Sequence, residues 1–154
     1  MFMMLLGIFW FGQAFSIYGA ITRAAQEGAR AGAFPYCATC IASTNSLSQY
    51  AANAVTATQT ALTASNLDIN QAQWPATTPP VVACVNGATS CANASNRVCV
   101  QLPVVLSTTT TGGAGVCGAA VTFQYPFQFW LPFTSLNKQR ILLTASARVR
   151  METH

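Results

Sequence analysis

Residues 7–32 read GIFWFGQAFSIYGAITRAAQEGARAG. The stretch begins as a membrane-grade apolar run and ends as a soluble-looking helix, with no proline between the two. Upstream the apolar character continues to Met1: residues 1–21 carry no charge, and nine of them are Leu, Ile or Phe. Each contributes about −0.3 to −0.6 kcal/mol to insertion near the centre of a membrane helix, about −3 to −5 kcal/mol together, enough to offset Gln13 and the glycines. A run of about 20 residues also matches the thickness of a bilayer's hydrocarbon core. Downstream, Arg23, Glu27 and Arg30 fall on one helical face, where they can pair. Helix formers continue to Ala33, and Pro35 supplies a stop. The expected helix has about 34 residues and is about 50 Å long. That exceeds a bilayer, so its second half stands in water or against protein.

Small residues recur at every fourth position of this helix: Gly12, Ser16, Ala20, Ala24, Gly28 and Gly32. Such a ridge lets helix backbones approach closely, and Gly28 with Gly32 forms a GxxxG pair. Each four-residue step drifts about 40° around an ideal helix, so the ridge winds through about 200°. It suits several neighbouring helices better than one straight partner, although an alanine-rich helix also produces such a series by chance.

Beyond the helix, residues 43–67 form a second helical segment. Leu47, Tyr50, Ala51, Ala54, Val55, Thr58, Ala61 and Leu62 keep the helical rhythm and make a stripe suited to lie on a sheet. Ser43 or Thr44 caps its start and Asn66 ends it. After Trp74 the segment WPATTPP is a proline-broken connection, followed by β-type runs at 81–85, 97–106 and 119–125. The final run, RILLTASARVRME, alternates strictly. Ile141, Leu143, Ala145, Ala147, Val149 and Met151 share one face, and Leu142, Thr144, Ser146, Arg148, Arg150 and Glu152 share the other. That is the pattern of a half-buried antiparallel strand. Pro103 makes the 97–106 run an edge strand or splits it, and STTTTGGAGVCG reads as a loop tied down by Cys117. Helices first and strands afterwards give an α+β fold: a long N-terminal helix over 1–34, then a globular domain over 35–154 with a second helix packed on a three- or four-stranded antiparallel sheet.

Charged residues make up only 6% of the 154 residues, against 52% apolar. From Ala31 to Asn96 the sole charge is Asp68, so the domain must meet water with Ser, Thr, Asn and Gln or cover its surface with partners. The net charge of +4 comes from scattered basic residues without a patch, which argues against nucleic acid. Cys37, Cys40, Cys84, Cys91, Cys99 and Cys117 read as a disulfide framework formed in an oxidising compartment. Sequence proximity favours Cys37–Cys40, Cys84–Cys91 and Cys99–Cys117. The CATC motif at 37–40 is better placed for a structural disulfide than for redox work or zinc: it follows a helix-ending proline, and no second CxxC stands at ribbon spacing.

Catalysis needs converging polar groups. The acids are Glu27, Asp68 and Glu152, and the single histidine is His154, so no acid–base pair or nucleophile set is in place; no enzyme activity, cofactor or metal is expected. The segment YPFQFWLPF at 125–133 holds Tyr125, Phe127, Phe129, Trp130 and Phe133, either as an apolar loop that touches lipid or a neighbouring subunit, or as aromatics closing the core. The NAS triplet at 93–95 fits a glycosylation sequon weakly.

A cleaved signal peptide is not expected, because no basic segment precedes the apolar run and the run exceeds the usual length. Positive charge flanks only the C-terminal side of the run, which by itself places that side in the cytoplasm, whereas disulfides require the opposite. Basic residues ahead of Met1 in a precursor reconcile the two.

The helix LLGIFWFGQAFSIYGAITRAAQEGARAGA resembles the N-terminal helix of TadE-like proteins, the pilin-like subunits of tight-adherence pilus systems. Ala20, Ala24, Ala25, Glu27, Gly28, Ala29 and Arg30 carry the match. The C-terminal VTFQYPFQFWLPFTSLNKQRILLTASARVRME is similar to the closing hairpin of that family, so the resemblance covers about residues 1–36 and 119–152. Leu5 stands where pilin-like proteins carry a glutamate: either the chain begins downstream of that motif, or the helices assemble on apolar and small-residue contacts alone. The resemblance implies a structural subunit: anchored in the inner membrane by its first helix, then polymerised through that helix into an extracellular filament of like or related pilin-like subunits, in adhesion or pilus assembly. Arg23, Glu27 and Arg30 then make polar contacts within or between subunits. The rival reading is a single-pass anchored envelope protein that binds a partner through its sheet or aromatic loop. A third, a secreted soluble domain, begins near Ala33.

Overall fold

The computed structural model describes residues 2–33, 44–84, 91, 97–107, 116–128 and 140–151. Pro35, Cys37, Cys40, the 93–95 triplet, Phe129, Trp130 and Phe133 lie outside the described residues. The fold is α+β, as the order of helical and alternating segments requires. Helix α1, Phe2–Gly32, is unbroken across the change from apolar to amphipathic sequence. Helix α2, Thr44–Ala64, is followed by a 3-10 turn, Ile69–Gln71. Strands β1 (Cys99–Ser107), β2 (Val116–Gln128) and β3 (Arg140–Arg150) form an antiparallel sheet in the order β1-β2-β3.

Helix α2 contains no charged residue. It handles its polarity by folding hydroxyls back onto its own backbone: Thr56, Thr58, Thr60 and Thr63 each donate to the carbonyl four residues earlier, at 2.8–2.9 Å. Its end is the one the sequence marks. Asn66 takes φ 56°, Asn66 N–H donates to Thr63 O at 2.9 Å, and Leu67 N–H donates to Leu62 O at 3.0 Å. These two bonds cap the last carbonyls and bring Leu67 back over Leu62. The expected stripe is buried or half-buried throughout, from Leu47 to Leu62. Its main partner, however, is α1 rather than the sheet. Helix α1 lies over β2 and β3, α2 touches β1, and the two helices press on each other.

The β2–β3 pairing runs without a slip from Gly118↔Arg150 to Gln128↔Arg140. It puts Ala145 and Met151 in the core while Thr144, Ser146, Arg148 and Arg150 are exposed, the division that alternation predicts. Strand β1 is an edge, and its register shifts between Gln101 and Val104, where Pro103 can donate no hydrogen bond. Among the described residues of the 81–85 run, 81–84, there is no fourth strand. They contribute an isolated bridge, Ala83↔Val104, with Val105 N–H donating to Val82 O at 2.8 Å and Cys84 N–H to Pro103 O at 3.1 Å. A second bridge, Gln73↔Gln124, occupies the β2 edge beyond the end of β1. Between these bridges the chain covers the sheet face away from the helices, where buried Gln101 donates through Nε2 to Pro79 O at 3.3 Å.

The disulfides correct the proximity pairing. Cys84 joins Cys117 and Cys91 joins Cys99. Strand register is the reason: Cys99 stands opposite Thr122, whereas Cys117 stands opposite Val105. Five strand residues, about 17 Å, therefore separate Cys99 from Cys117, far beyond disulfide reach. Cys84, carried to β1 by the Ala83 bridge, arrives beside Cys117 instead, with a Cα–Cα distance of 6.1 Å.

Helix α1 runs alongside β2 in the opposite direction. Gly32 lies against Leu102 and Ala119, while Ser16 and Ile17 share a cleft with Pro126 and Phe127. The sixteen helical steps from Ser16 to Gly32 rise about 24 Å, and the seven strand steps from Ala119 to Pro126 span about 24 Å. The two elements are thus aligned.

Candidate functional site

The C-terminal half of α1 belongs to the core. Ile21, Ala24, Ala25 and Ala29 are fully buried against α2 and the sheet. The N-terminal half is covered along one face only: Leu6, Trp10, Ala14 and Ile17 are half-buried, whereas Met4, Ile8, Phe11 and Phe15 are 78, 72, 69 and 71% exposed, and Leu5, Phe9 and Tyr18 are exposed beside them. The helix is long and apolar enough to cross a membrane, by length and composition.

The small-residue ridge is divided by the same boundary. At Gly12 nothing lies within 4 Å of where a Cβ would stand, and Ser16 is exposed. Ala20 is half-buried and Ala24 fully buried. At Gly28 a Cβ would overlap the Thr58 hydroxyl and lie 3.0 Å from the Ala54 carbonyl oxygen. At Gly32 it would lie 3.2 Å from the Ala54 Cβ. The Gly28–Gly32 pair is therefore used for the close approach of α2 in the same chain, and the ridge faces outward only near Gly12 and Ser16. A ridge that turns through about 200° does this on any helix packed along one side.

Arg23, Glu27 and Arg30 are all exposed. Arg30 Nη1 lies 3.4 Å from Glu27 Oε1, with both side chains more than half exposed, so the pair contributes at most about 1 kcal/mol. Arg23 makes no ion pair among the described residues. No group of three or more His, Cys, Asp or Glu side chains that could hold a metal occurs among the described residues.

Tyr125 and Phe127 stand on β2, not in a loop, and each is 5% exposed on the face toward α1. The Asp68 backbone N–H donates to the Tyr125 hydroxyl oxygen at 3.2 Å. Burial raises the Tyr125 pKa; the Asp68 hydrogen bond lowers it, and the Asp68 charge adds to the rise. Asp68 itself accepts from Asn70 N–H at 2.9 Å and caps the 3-10 turn.

Two features of this end of the molecule were not foreseen from sequence. Ile141, assigned by alternation to the buried face, is 46% exposed; Leu142 beside it, on the outer face as alternation assigns it, is 44% exposed. The available signal was the position of Ile141 at the very start of β3. Gln13, Ser16, Leu67, Gln71 and Gln128 line a cleft at this end.

No curated protein and no solved structure matches the chain. The TadE-like family is one of structural, pilus-associated proteins, and an exposed apolar N-terminal helix fits membrane anchoring. Residues 1–30 match the family model described as TadE-like protein, the family that this helix resembles residue by residue.

Proposed function

We propose that this chain is a pilin-like structural subunit, held in the inner membrane by α1 and then polymerised through α1 into an extracellular filament. One observation carries the reading. Seven large apolar side chains on the N-terminal half of one continuous helix are left 49–78% exposed by the chain itself, while the C-terminal half is buried in a disulfide-bonded domain. Leaving such side chains in water costs about 1.5–3 kcal/mol each, so together they rival the folding free energy of a whole domain. Lipid covers them before assembly and sister helices cover them afterwards, an exchange of one apolar surrounding for another. Phe11, Phe15 and Tyr18 form a stripe along the helix, and the open positions at Gly12 and Ser16 allow a neighbouring backbone to come close. Arg23, Glu27 and Arg30, exposed above this region, supply polar contacts to other subunits, which are copies of this chain or related pilin-like proteins. Negative-stain microscopy of material purified from its native cells tests this. Filaments containing the chain support polymerisation; detergent-bound monomers under all conditions would instead support an anchored envelope protein.

A further inference from the structure

The membrane-anchored state, on which this inference rests, has a geometric consequence for the globular domain. On α1 the upper border of the apolar surface is set by Tyr18, 49% exposed, and by Arg23, the first charge. The domain already reaches Gln13, where α1 lines a cleft with Leu67, Gln71 and Gln128. From Gln13 to Arg23 the helix rises about 15 Å. The end of the domain therefore lies below the level at which the helix leaves lipid.

The surface of that end is suited to the position. Ten large apolar side chains are exposed among the described residues, and all but Val82 lie either on the N-terminal half of α1 or at Ile141 and Leu142. Ile141 pairs with Phe127 and Leu142 with Pro126, the β2 residues that line the cleft with Gln13. The exposed charges Arg148 and Arg150 stand on β3 at the opposite end of the sheet, beside Ala120 and Gly118. The depth is bounded too. Asp68, exposed, holds the Tyr125 hydroxyl through its N–H, and Tyr125 pairs with Leu143, two residues up from Ile141. A carboxylate in mid-bilayer costs several kcal/mol, so Asp68 keeps the level of Tyr125 and Leu143 above the hydrocarbon core, while Ile141 and Leu142 reach the boundary of acyl chains and headgroups.

We propose that the sheet end carrying Ile141 and Leu142 is a second membrane contact of the anchored subunit. Its two apolar side chains enter the acyl boundary of the bilayer that α1 spans, and Arg140, exposed and paired with Gln128, reaches the phosphates. The partner is a phospholipid surface. The contact fixes the domain's tilt and depth, and it must be broken when the subunit is extracted into a polymer.

Photocrosslinking in vesicles tests this with the full chain. A benzophenone amino acid is placed in turn at Leu142, at Ser146 and at Phe15, and the protein is reconstituted into phosphatidylethanolamine–phosphatidylglycerol vesicles. Lipid adducts are read by mass spectrometry after irradiation. Ser146 lies on the same strand face as Leu142, about 14 Å further up, and Phe15 reports on α1. Adducts at Leu142 and Phe15 but not at Ser146 are expected. Adducts at Phe15 alone overturn the second contact and leave the anchor standing. Adducts at Leu142 and Ser146 alike overturn the end-on geometry in favour of a sheet lying flat. No adduct at Phe15 removes the anchor and this contact with it. Ile141 serves as a second position, and each variant must match the parent's thermal unfolding before it is scored.

Discussion

Replacing Gly28 with alanine sets two effects against each other, and the structure decides which one wins. In the interior of an exposed helix, glycine to alanine gains about 1 kcal/mol. At Gly28 the new methyl overlaps the Thr58 hydroxyl, with the Ala54 carbonyl oxygen at 3.0 Å and the Thr58 Cβ at 3.3 Å. Thr58 has no room to yield: it is fully buried, and its hydroxyl donates to Ala54 O at 2.8 Å. Turning the hydroxyl away forfeits that bond and leaves a buried polar group unsatisfied, at about 1–3 kcal/mol. Parting the helices costs a similar amount in overpacking. The net loss is up to about 2 kcal/mol, or up to about 8 °C in Tm for a chain of this size. Thermal unfolding of the full chain in detergent, followed by circular dichroism, measures it. Gly12→Ala is the control, since nothing lies within 4 Å of its Cβ position; its Tm stays level or rises. Adding Thr58→Ala to Gly28→Ala recovers part of the loss, and the double-mutant cycle shows coupling of about 1 kcal/mol or more. If Gly28→Ala melts at or above the parent temperature, the close approach of α1 to α2 through this glycine is refuted.

The disulfide pairing is open to a direct digest. Trypsin cleaves after Arg97, so Cys84–Cys117 and Cys91–Cys99 hold peptides 31–97 and 98–138 together until reduction, whereas the proximity pairing releases them separately. Removing Cys84 and Cys117 together, which opens a separation of 33 residues, lowers stability by about 3–4 kcal/mol; removing Cys91 and Cys99, separation 8, lowers it by about 2–3 kcal/mol, both read by denaturant unfolding. Because burial raises the Tyr125 pKa above its ordinary 10.0, the folded state favours the neutral phenol. Its contribution to stability is complete below pH 10 and is lost as pH rises through the folded-state pKa, and Tyr125→Phe removes that alkaline fall in unfolding measurements.

The elements set by local periodicity were readable. Helix α1, the α2 stripe, the Asn66 cap and the two faces of β3 follow from spacing that a few consecutive residues contain. Features set by register between distant segments were not. Which cysteines meet depends on Cys99 facing Thr122 and on Ala83 docking at Val104, and neither fact is local. The same limit explains why residues 81–84, β-type in composition, meet the sheet through a bridge: their neighbour carries Pro103 and a register shift. Of the candidate surface, the series from Gly12 to Gly32 and the charged trio were visible. The division of the ridge into an outward half and a half against α2 was not, because it depends on which side of α1 the domain occupies. Tyr125 and Phe127 looked equally suited to a loop or to the core, and strand pairing as far as Gln128 places them in the core.

The alignment of α1 with β2 bears on mechanics. A pull on the apolar end of α1 acts along the helix axis, and that axis is close to the strand direction. The load is therefore borne as sliding shear across the whole row from Ile21 to Gly32 at once, instead of peeling contacts apart one at a time. Cys84–Cys117 fastens the start of β2, the strand that shares this load. The joint between rod and domain is thereby strongest in the direction along which tension would travel.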